Sequence, residues 1–158
     1  DDLIALSKIT QCVEDRCIGD LATVVEIDIK PMSCPNPINT KSKGLVSVAI
    51  LGTNDLDAMS IDPASVQISG VSPLRWSYED VATPYSEEIA DAYDCHVLGA
   101  DGHFDLVLKF NTREVVGALG AVKDGDVLVL DIDGNLKADF GGTSIEGSDV
   151  VTVIDEME

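Results

Sequence analysis

The sequence predicts an all-β protein, a β-sandwich of Ig-like or jelly-roll-like type, with one short helix and an N-terminal extension. Three observations support this fold class: short segments that alternate apolar and polar residues, frequent turn dipeptides between them, and a single helix-capping signal. About seven or eight short strands are expected, as in other sandwiches. Residues 1–22 form the predicted extension, and residues 23–158 form the sandwich module.

The first predicted strand alternates Val25, Ile27 and Ile29 with polar residues, which is typical of a half-buried strand. The proline-rich stretch 31–37 follows as a loop, because proline removes hydrogen-bond donors from a sheet. Residues 45–51 are nearly all apolar. This run predicts a central strand that is covered on both faces.

The second half of the chain continues the pattern. Strands are expected near 65–69 and 74–78, and the polar region 79–103 is the longest irregular one. Asn111 and Glu114 have the spacing of a capping pair and predict a short helix that ends at a glycine. The remaining predicted strands, separated by Asp-Gly, Gly-Asn and Gly-Gly turns, are 127–132, 136–140, 143–146 and 149–154.

The balance of charge limits the partners of this chain. It has 10 Lys and Arg against 29 Asp and Glu, which gives a net charge of −19. Such a chain repels phosphate backbones and anionic membrane surfaces, so no nucleic acid is expected as a partner. No apolar run reaches the roughly 20 residues that span a bilayer, so no membrane insertion is expected either. Solubility, a saline or hot habitat, and divalent cations that relieve self-repulsion all remain explanations of the acidity.

The chain contains 4 cysteines, an even number that allows three pairings. We predict the pair Cys12–Cys17, which staples a short turn, and the pair Cys34–Cys95, which closes a long loop. Closing that loop is worth at most about 4 kcal/mol on the loop-entropy model. No C-x-x-C pair or histidine at ligand spacing supports the rival zinc site. Disulfides indicate an extracellular or cell-surface protein.

The principal metal candidate is the stretch that carries Asp94, Asp101 and Asp105. Calcium prefers several hard oxygen ligands, and spaced aspartates with a glycine in a tight loop supply them. Backbone carbonyls or another loop would have to complete the ligand set. The alternative is a solvated turn whose aspartates accept hydrogen bonds from local amides.

A second spacing of calcium type runs from Asp131 to Asp139, with oxygen ligands at positions 1, 3, 5 and 9. It lacks the glycine at position 6 and the bidentate glutamate at position 12. Because residues 128–132 have the pattern of a strand, we interpret Asp133-Gly134 as a hairpin turn.

Trp76 and Tyr78 share a predicted strand face with Leu74. An exposed aromatic strip formed by Trp76, Tyr78, Tyr85 or Tyr93 would indicate a carbohydrate-binding surface. A single tryptophan beside leucine at strand spacing is more often part of the core, and we interpret Trp76 in that way.

No catalytic residues are predicted. The histidines are His96 and His103, and no nucleophile motif accompanies them. No phosphate-binding glycine loop and no C-x-x-C-H haem motif is present. We therefore expect that the protein is not an enzyme.

Several blocks of sequence together resemble a poorly characterised β-sandwich module of exported prokaryotic proteins. The blocks are IDIKPMSCPNPIN (27–39), SKGLVSVAILGT (42–53), IDPASVQISG (61–70), DGHFDLVLKFNTREV (101–115) and IEGSDVVTV (145–153). The resemblance implies a companion domain of sandwich fold without an established catalytic activity. Many members carry an acidic D-x-D-G-D-G-x-x-D run before the FDLVLKF-like strand, of which Asp101-Gly102 and Asp105 remain here.

These observations predict a secreted structural subunit of an extracellular or cell-surface assembly. The extension contains the apolar residues Leu3, Ile4, Leu6 and Ile9, which either add a strand to a neighbouring copy or fold back on their own domain. In the first case the expected partner is the protein itself, in a filament formed by strand exchange. A monomeric carbohydrate- or ligand-binding module is the alternative function, and calcium is the one cofactor that the sequence suggests.

Overall fold

The computed structural model of the protein describes residues 22–85, 89, 91–95 and 98–156. In this part of the chain two β-sheets pack face to face with one α-helix beside them, so the predicted β-sandwich is confirmed. None of the helices in these ranges has the length and apolar character needed to cross a membrane.

Short strands and turns account for most of the described chain. The strands are β1 (Thr23–Val24), β2 (Ile27–Ile29), β3 (Pro37–Asn39), β4 (Leu45–Ile50), β5 (Ile61–Ile68), β6 (Arg75–Glu79), β7 (Asp105–Asn111), β8 (Val127–Leu136) and β9 (Ser144–Ile154). The helix α1 (Thr112–Leu119) follows β7, and short 3-10 helices span Ala58–Ser60 and Ala138–Phe140.

The first sheet has the order β1-β9-β8-β5, and β3 pairs with β9 beyond the end of β1. Both β1 and β3 run parallel to β9, while the β8–β9 and β5–β8 pairs are antiparallel. The second sheet has the order β2-β4-β7-β6, and its pairs are antiparallel. Among the described strands, β6 and β2 therefore form the two edges of the second sheet.

The core lies between the inner faces of the two sheets. In β2, β4, β5, β7, β8 and β9 most of the inward-pointing side chains are almost completely buried, in keeping with the two-residue period of a strand. β1 and the edge strand β6 are largely exposed. The largest of these buried side chains are Phe110, Ile27, Ile29, Ile50, Ile61, Ile68, Leu106, Leu108, Ile132 and Ile145. Phe104 precedes β7 and is 59% exposed.

The outer face of the second sheet is also covered, over part of its area. Ala49 and Leu51 from the β4 region pack with Val107 of β7 and with Ala82, which follows β6 in the chain. The prediction that residues 45–51 are covered on both faces is thus confirmed for residues 48–51, while Leu45 is exposed and Ser47 is partly buried. The prediction of a half-buried first strand is wrong for Asp28, which points to this outer face and is fully buried beneath the cover.

The predicted hairpin turn at Asp133-Gly134 is wrong, since both residues lie inside β8 and pair with Glu146 and Ile145 of β9. The chain reverses later, at residues 137–143. Gly134 sits where β5 is irregular, and a Cβ atom there would lie 3.1 Å from Val66 Cγ2. The lack of a side chain at position 134 therefore permits β8 to pack closely against β5, and it does not serve a turn.

The predicted helix cap is confirmed. Asn111 precedes α1, and its side-chain oxygen accepts a hydrogen bond of 3.1 Å from the Glu114 amide. The helix ends at Gly120, which has a positive φ of 81°.

Candidate functional site

A disulfide bond ties the chain between β6 and β7 to the proline-rich loop. Cys34 and Cys95 are bonded, with Cα atoms 5.8 Å apart and a sequence separation of 61. This half of the predicted pairing is confirmed. Cys12 and Cys17 lie outside the described residues, as do the predicted assembly residues Leu3, Ile4, Leu6 and Ile9.

Asp105, one of the three predicted calcium ligands, is fully buried at the start of β7. Its Oδ1 atom accepts a hydrogen bond of 2.9 Å from the Gly52 amide, and its Oδ2 atom accepts bonds of 2.8 and 3.2 Å from the amides of Val81 and Ala82. Burial raises the pKa of this carboxyl, although the three amides oppose the shift. Asp105 thus joins β7 to two neighbouring loops.

The other two predicted ligands accept local amide hydrogen bonds. Asp101 Oδ1 accepts from the His103 amide at 3.0 Å, and Asp94 Oδ2 accepts from the Asp91 amide at 2.8 Å. The amides of Asp101 and Gly102 donate in turn to the two carboxylate oxygens of Asp80, at 3.0 and 2.7 Å. Asp80 therefore organises this turn, and sequence reasoning missed it.

No group of three or more His, Cys, Asp or Glu side chains gathers around a common point within the described ranges. The segment from Asp131 to Asp139 has the second calcium-type spacing, but its first part is an extended strand. Asp131 and Asp133 lie on one exposed face of β8. A calcium role for Asp94, Asp101 and Asp105 stays a prediction.

A second buried carboxyl joins the two sheets. Asp149 lies on β9 of the first sheet, and its Oδ2 atom accepts hydrogen bonds from the Ile29 amide of β2 at 2.8 Å and from Asn36 Nδ2 at 3.2 Å. Its Oδ1 atom accepts from the Val150 amide at 2.8 Å. Burial raises the pKa of Asp149 to about 6, and these hydrogen bonds oppose the shift.

Asp28 has the largest pKa shift of the three buried carboxyls. Burial raises its pKa to about 8, and the negative charges of Asp149 and Asp105 add to the effect. The carboxyl is therefore mostly protonated at neutral pH.

The sequence did contain a signal for the buried position of Asp149, which lies in the resembling block 145–153. Strand alternation places Asp149 on the same face as the apolar Val151 and Val153.

The edge strand β6 carries the exposed aromatic residue of this sheet. Trp76 is 43% exposed and Leu74 is 56% exposed, so the interpretation of Trp76 as a core residue is wrong. The reason is its place on an edge, where one flank has no neighbouring strand. Tyr78 does pack against the core, and the Tyr85 hydroxyl lies 3.4 Å from Asp94 Oδ1. Tyr93 is exposed and lies in the disulfide-bonded segment.

No family model and no curated protein matches this chain. Among solved structures, a match was found to the crystal structure of AggA, the major subunit of aggregative adherence fimbriae type I from Escherichia coli. The match covers 84% of this chain and 94% of AggA, at 9% sequence identity and a TM-score of 0.28. A similarity this low carries no argument about the function of this chain.

Proposed function

We propose that the protein is a secreted structural subunit of an extracellular or cell-surface assembly, and that copies associate through strand exchange by residues 1–22. The observation that carries the proposal is the open edge of the second sheet. β6 pairs with β7 on one side, and no described strand pairs with its other side. Leu74 and Trp76 at this edge are exposed.

An open strand edge presents unpaired N–H and C=O groups, and monomeric proteins usually protect such edges with charge, proline or a covering loop. β6 carries the charged residues Arg75 and Glu79, but Leu74 and Trp76 still leave apolar surface beside the open edge. An added strand would satisfy the main-chain groups and cover Leu74 and Trp76, in the manner of other strand-addition complexes.

The donor in this proposal is the extension with Leu3, Ile4, Leu6 and Ile9. Burying each of these side chains is worth roughly 1.5–3 kcal/mol, so the segment gains from any apolar groove that accepts it. A donor at one end and an acceptor edge elsewhere give a head-to-tail contact, which builds filaments when it does not close. The Cys34–Cys95 disulfide supports the extracellular location, because such bonds persist in oxidising compartments.

Deleting residues 1–22 tests the donor, and the expected product is a folded monomer. Trp76→Pro tests the acceptor. The Thr112 amide donates to Gly44 O, so even-numbered residues of β7 are hydrogen-bonded to β4 and odd-numbered ones face β6. Ser77 is therefore hydrogen-bonded to its partner Val107, and the amide of Trp76 faces the open edge. Proline at position 76 removes an edge donor without removing a β6–β7 hydrogen bond. Trp76→Ala loses the same ring but keeps the amide, and as the matched control it should assemble more strongly than Trp76→Pro.

Light scattering and electron microscopy at several salt concentrations would measure assembly. The net charge of −19 opposes association, so strand-exchanged assembly should strengthen with salt or divalent cations. Monomers from the full-length chain under every condition would refute the proposal. They would favour the alternative of a monomeric carbohydrate- or ligand-binding module, for which the exposed ring of Trp76 is the natural stacking surface.

A further inference from the structure

Three basic side chains lie in one row across the outer face of the second sheet. The β4–β7 and β6–β7 registers place Ser47 opposite Lys109 and Lys109 opposite Arg75. The Lys30 amide donates to Ser47 O, which puts Lys30 beside Ser47 at the other end of the row. Lys30, Lys109 and Arg75, here called the basic row, thus extend over four strands, or about 14 Å.

This row is costly for the isolated subunit. Arg75 and Lys109 are direct cross-strand neighbours, and like charges in that position are destabilising. The Lys30 ammonium donates to Pro37 O and the Lys109 ammonium donates to Ser47 Oγ. Within the described part of this strongly acidic chain, none of the three cations has a carboxylate at ion-pair distance. The row therefore has unused capacity for anions.

Apolar side chains surround part of the row. Lys30 and Lys109 line a cavity of about 390 Å³ together with one acidic residue, Glu79, and with apolar residues that include Met32, Leu45 and Val107. Met32 is 72% exposed and Leu45 is 40% exposed. A partner that fits this surface would present carboxylates next to apolar groups.

The opposite outer face of the same molecule has that character. On β8 and β9 of the first sheet, Asp131, Asp133 and Glu146 point outward, and Asp133 is the direct cross-strand neighbour of Glu146. These three residues, here called the acidic patch, line a groove of about 650 Å³. On the same face of β8, Val127 and Val129 are 46% and 50% exposed.

We propose that the basic row of one copy binds the acidic patch of a second copy. The two surfaces lie on opposite outer faces of the sandwich, so the contact is heterologous and propagates from subunit to subunit without closing. The inference rests on the proposed function, because it names a contact between the same self-associating subunits. The contact involves none of residues 1–22 and adds to strand exchange without replacing it, so charge variants of the full-length chain test it separately from the deletion.

Charge reversal on each surface tests the contact. One variant carries K30E, R75E and K109E, and the other carries D131K, D133K and E146K. Each alone should lose association by about 100-fold or more, since like charges then face each other. Mixed in equal amounts they should co-assemble in alternation, because each acidic surface then meets a basic one. Sedimentation velocity at one fixed ionic strength would measure this.

The control variant R113E/K123E/K137E changes one Arg and two Lys at exposed positions outside the row, and so has the same net charge as the first variant. It should associate like the parent. Loss of association in this control equal to that of K30E/R75E/K109E would overturn the proposal, as would a failure of the mixture to assemble when both variants show cooperative unfolding. Normal assembly by both reversed variants, together with monomers after deletion of 1–22, would overturn the stacking contact and leave strand exchange in place.

Discussion

Asp149 Oδ2 of β9 accepts a 2.8 Å hydrogen bond from the backbone amide of Ile29 in β2, and so joins the two sheets of the sandwich through one buried carboxylate. β2 is an edge strand, and the Ile29 amide is directed away from its partner β4. The carboxylate thus takes the place of the strand that the edge lacks.

Replacing Asp149 by alanine should therefore destabilise the fold. The change leaves the Ile29 amide and Asn36 Nδ2 without their acceptor in a buried site, and a buried unsatisfied group costs about 1–3 kcal/mol. We expect a loss of about 2–4 kcal/mol in the free energy of unfolding, measured by urea denaturation. Asp131→Ala, at an exposed position of β8, should change stability by less than about 0.5 kcal/mol. Equal effects of the two variants would contradict the bridging role.

Asp28 should make the protein less stable as the pH rises. Its pKa is raised from 3.8 to about 8, so between these values the folded state binds the proton more tightly than the unfolded state. Unfolding free energy then falls with increasing pH, by up to about 1.4 kcal/mol for each pH unit. Asp28→Asn should flatten this decline between about pH 4 and 8, the two pKa values of this carboxyl, as measured by denaturation at a series of pH values. An unchanged slope in Asp28→Asn would refute this assignment, and Asp131→Asn serves as the control.

Gly52 should not tolerate a side chain. A Cβ atom there would lie 2.1 Å from the Phe104 carbonyl oxygen, so the backbone around Asp105 would have to move. Gly52→Ala should cost about 1–3 kcal/mol or more, measured by thermal or chemical unfolding. Gly117→Ala is the matched control, since it lies in α1 with open space around it and should be neutral or slightly stabilising. A harmless Gly52→Ala would show that this close approach is absent in solution.

Removal of the Cys34–Cys95 bond should lower stability by about 2–4 kcal/mol, because it releases a loop with a sequence separation of 61. The double variant Cys34→Ser/Cys95→Ser provides the measurement. Peptide mapping without reduction should also show Cys12 bonded to Cys17. Free thiols at all four positions would exclude both bonds and remove the support for an extracellular location.

We predict that calcium binds at the loop that carries Asp94, Asp101 and Asp105 in preference to any other part of the chain. The expected result is a higher melting temperature with calcium than with chelator, since a ligand selective for the native state stabilises it. Asp101→Asn should reduce this difference, while Asp139→Asn should not. A melting temperature that responds to neither calcium nor chelator would remove calcium from the account of this protein.

Sequence patterns correctly predicted features that are determined by residues close together in the chain. The capping pair Asn111 and Glu114 is confirmed because a helix N-terminus is satisfied within four residues. The apolar run 45–51 is confirmed as a doubly covered strand over residues 48–51, where burial on both faces leaves no polar position, whereas Leu45 and Ser47 are partly exposed.

The errors arose where distant segments decide the outcome. Asp28 alternates like a solvated residue, yet it is fully buried beside Ala49, on a sheet face that Ala82 helps to cover from far along the chain. Trp76 follows the pattern of a core residue, but its position on an edge strand exposes it. Asp133-Gly134 has turn chemistry, and its neighbours in β5 and β9 hold it extended instead. Of the predicted metal ligands, Asp105 is engaged by three amides that no local pattern indicates.

The bond between Cys34 and Cys95 ties the loop that follows β2 to the chain that leads into β7. These two strands carry Asp28 and Asp105, and the negative charge of Asp105 helps to raise the pKa of Asp28. We expect reduction of the bond to admit water near Asp28 and so to lower its pKa toward the ordinary value of 3.8. The redox state of two cysteines would then be measurable as a change in the pH dependence of unfolding.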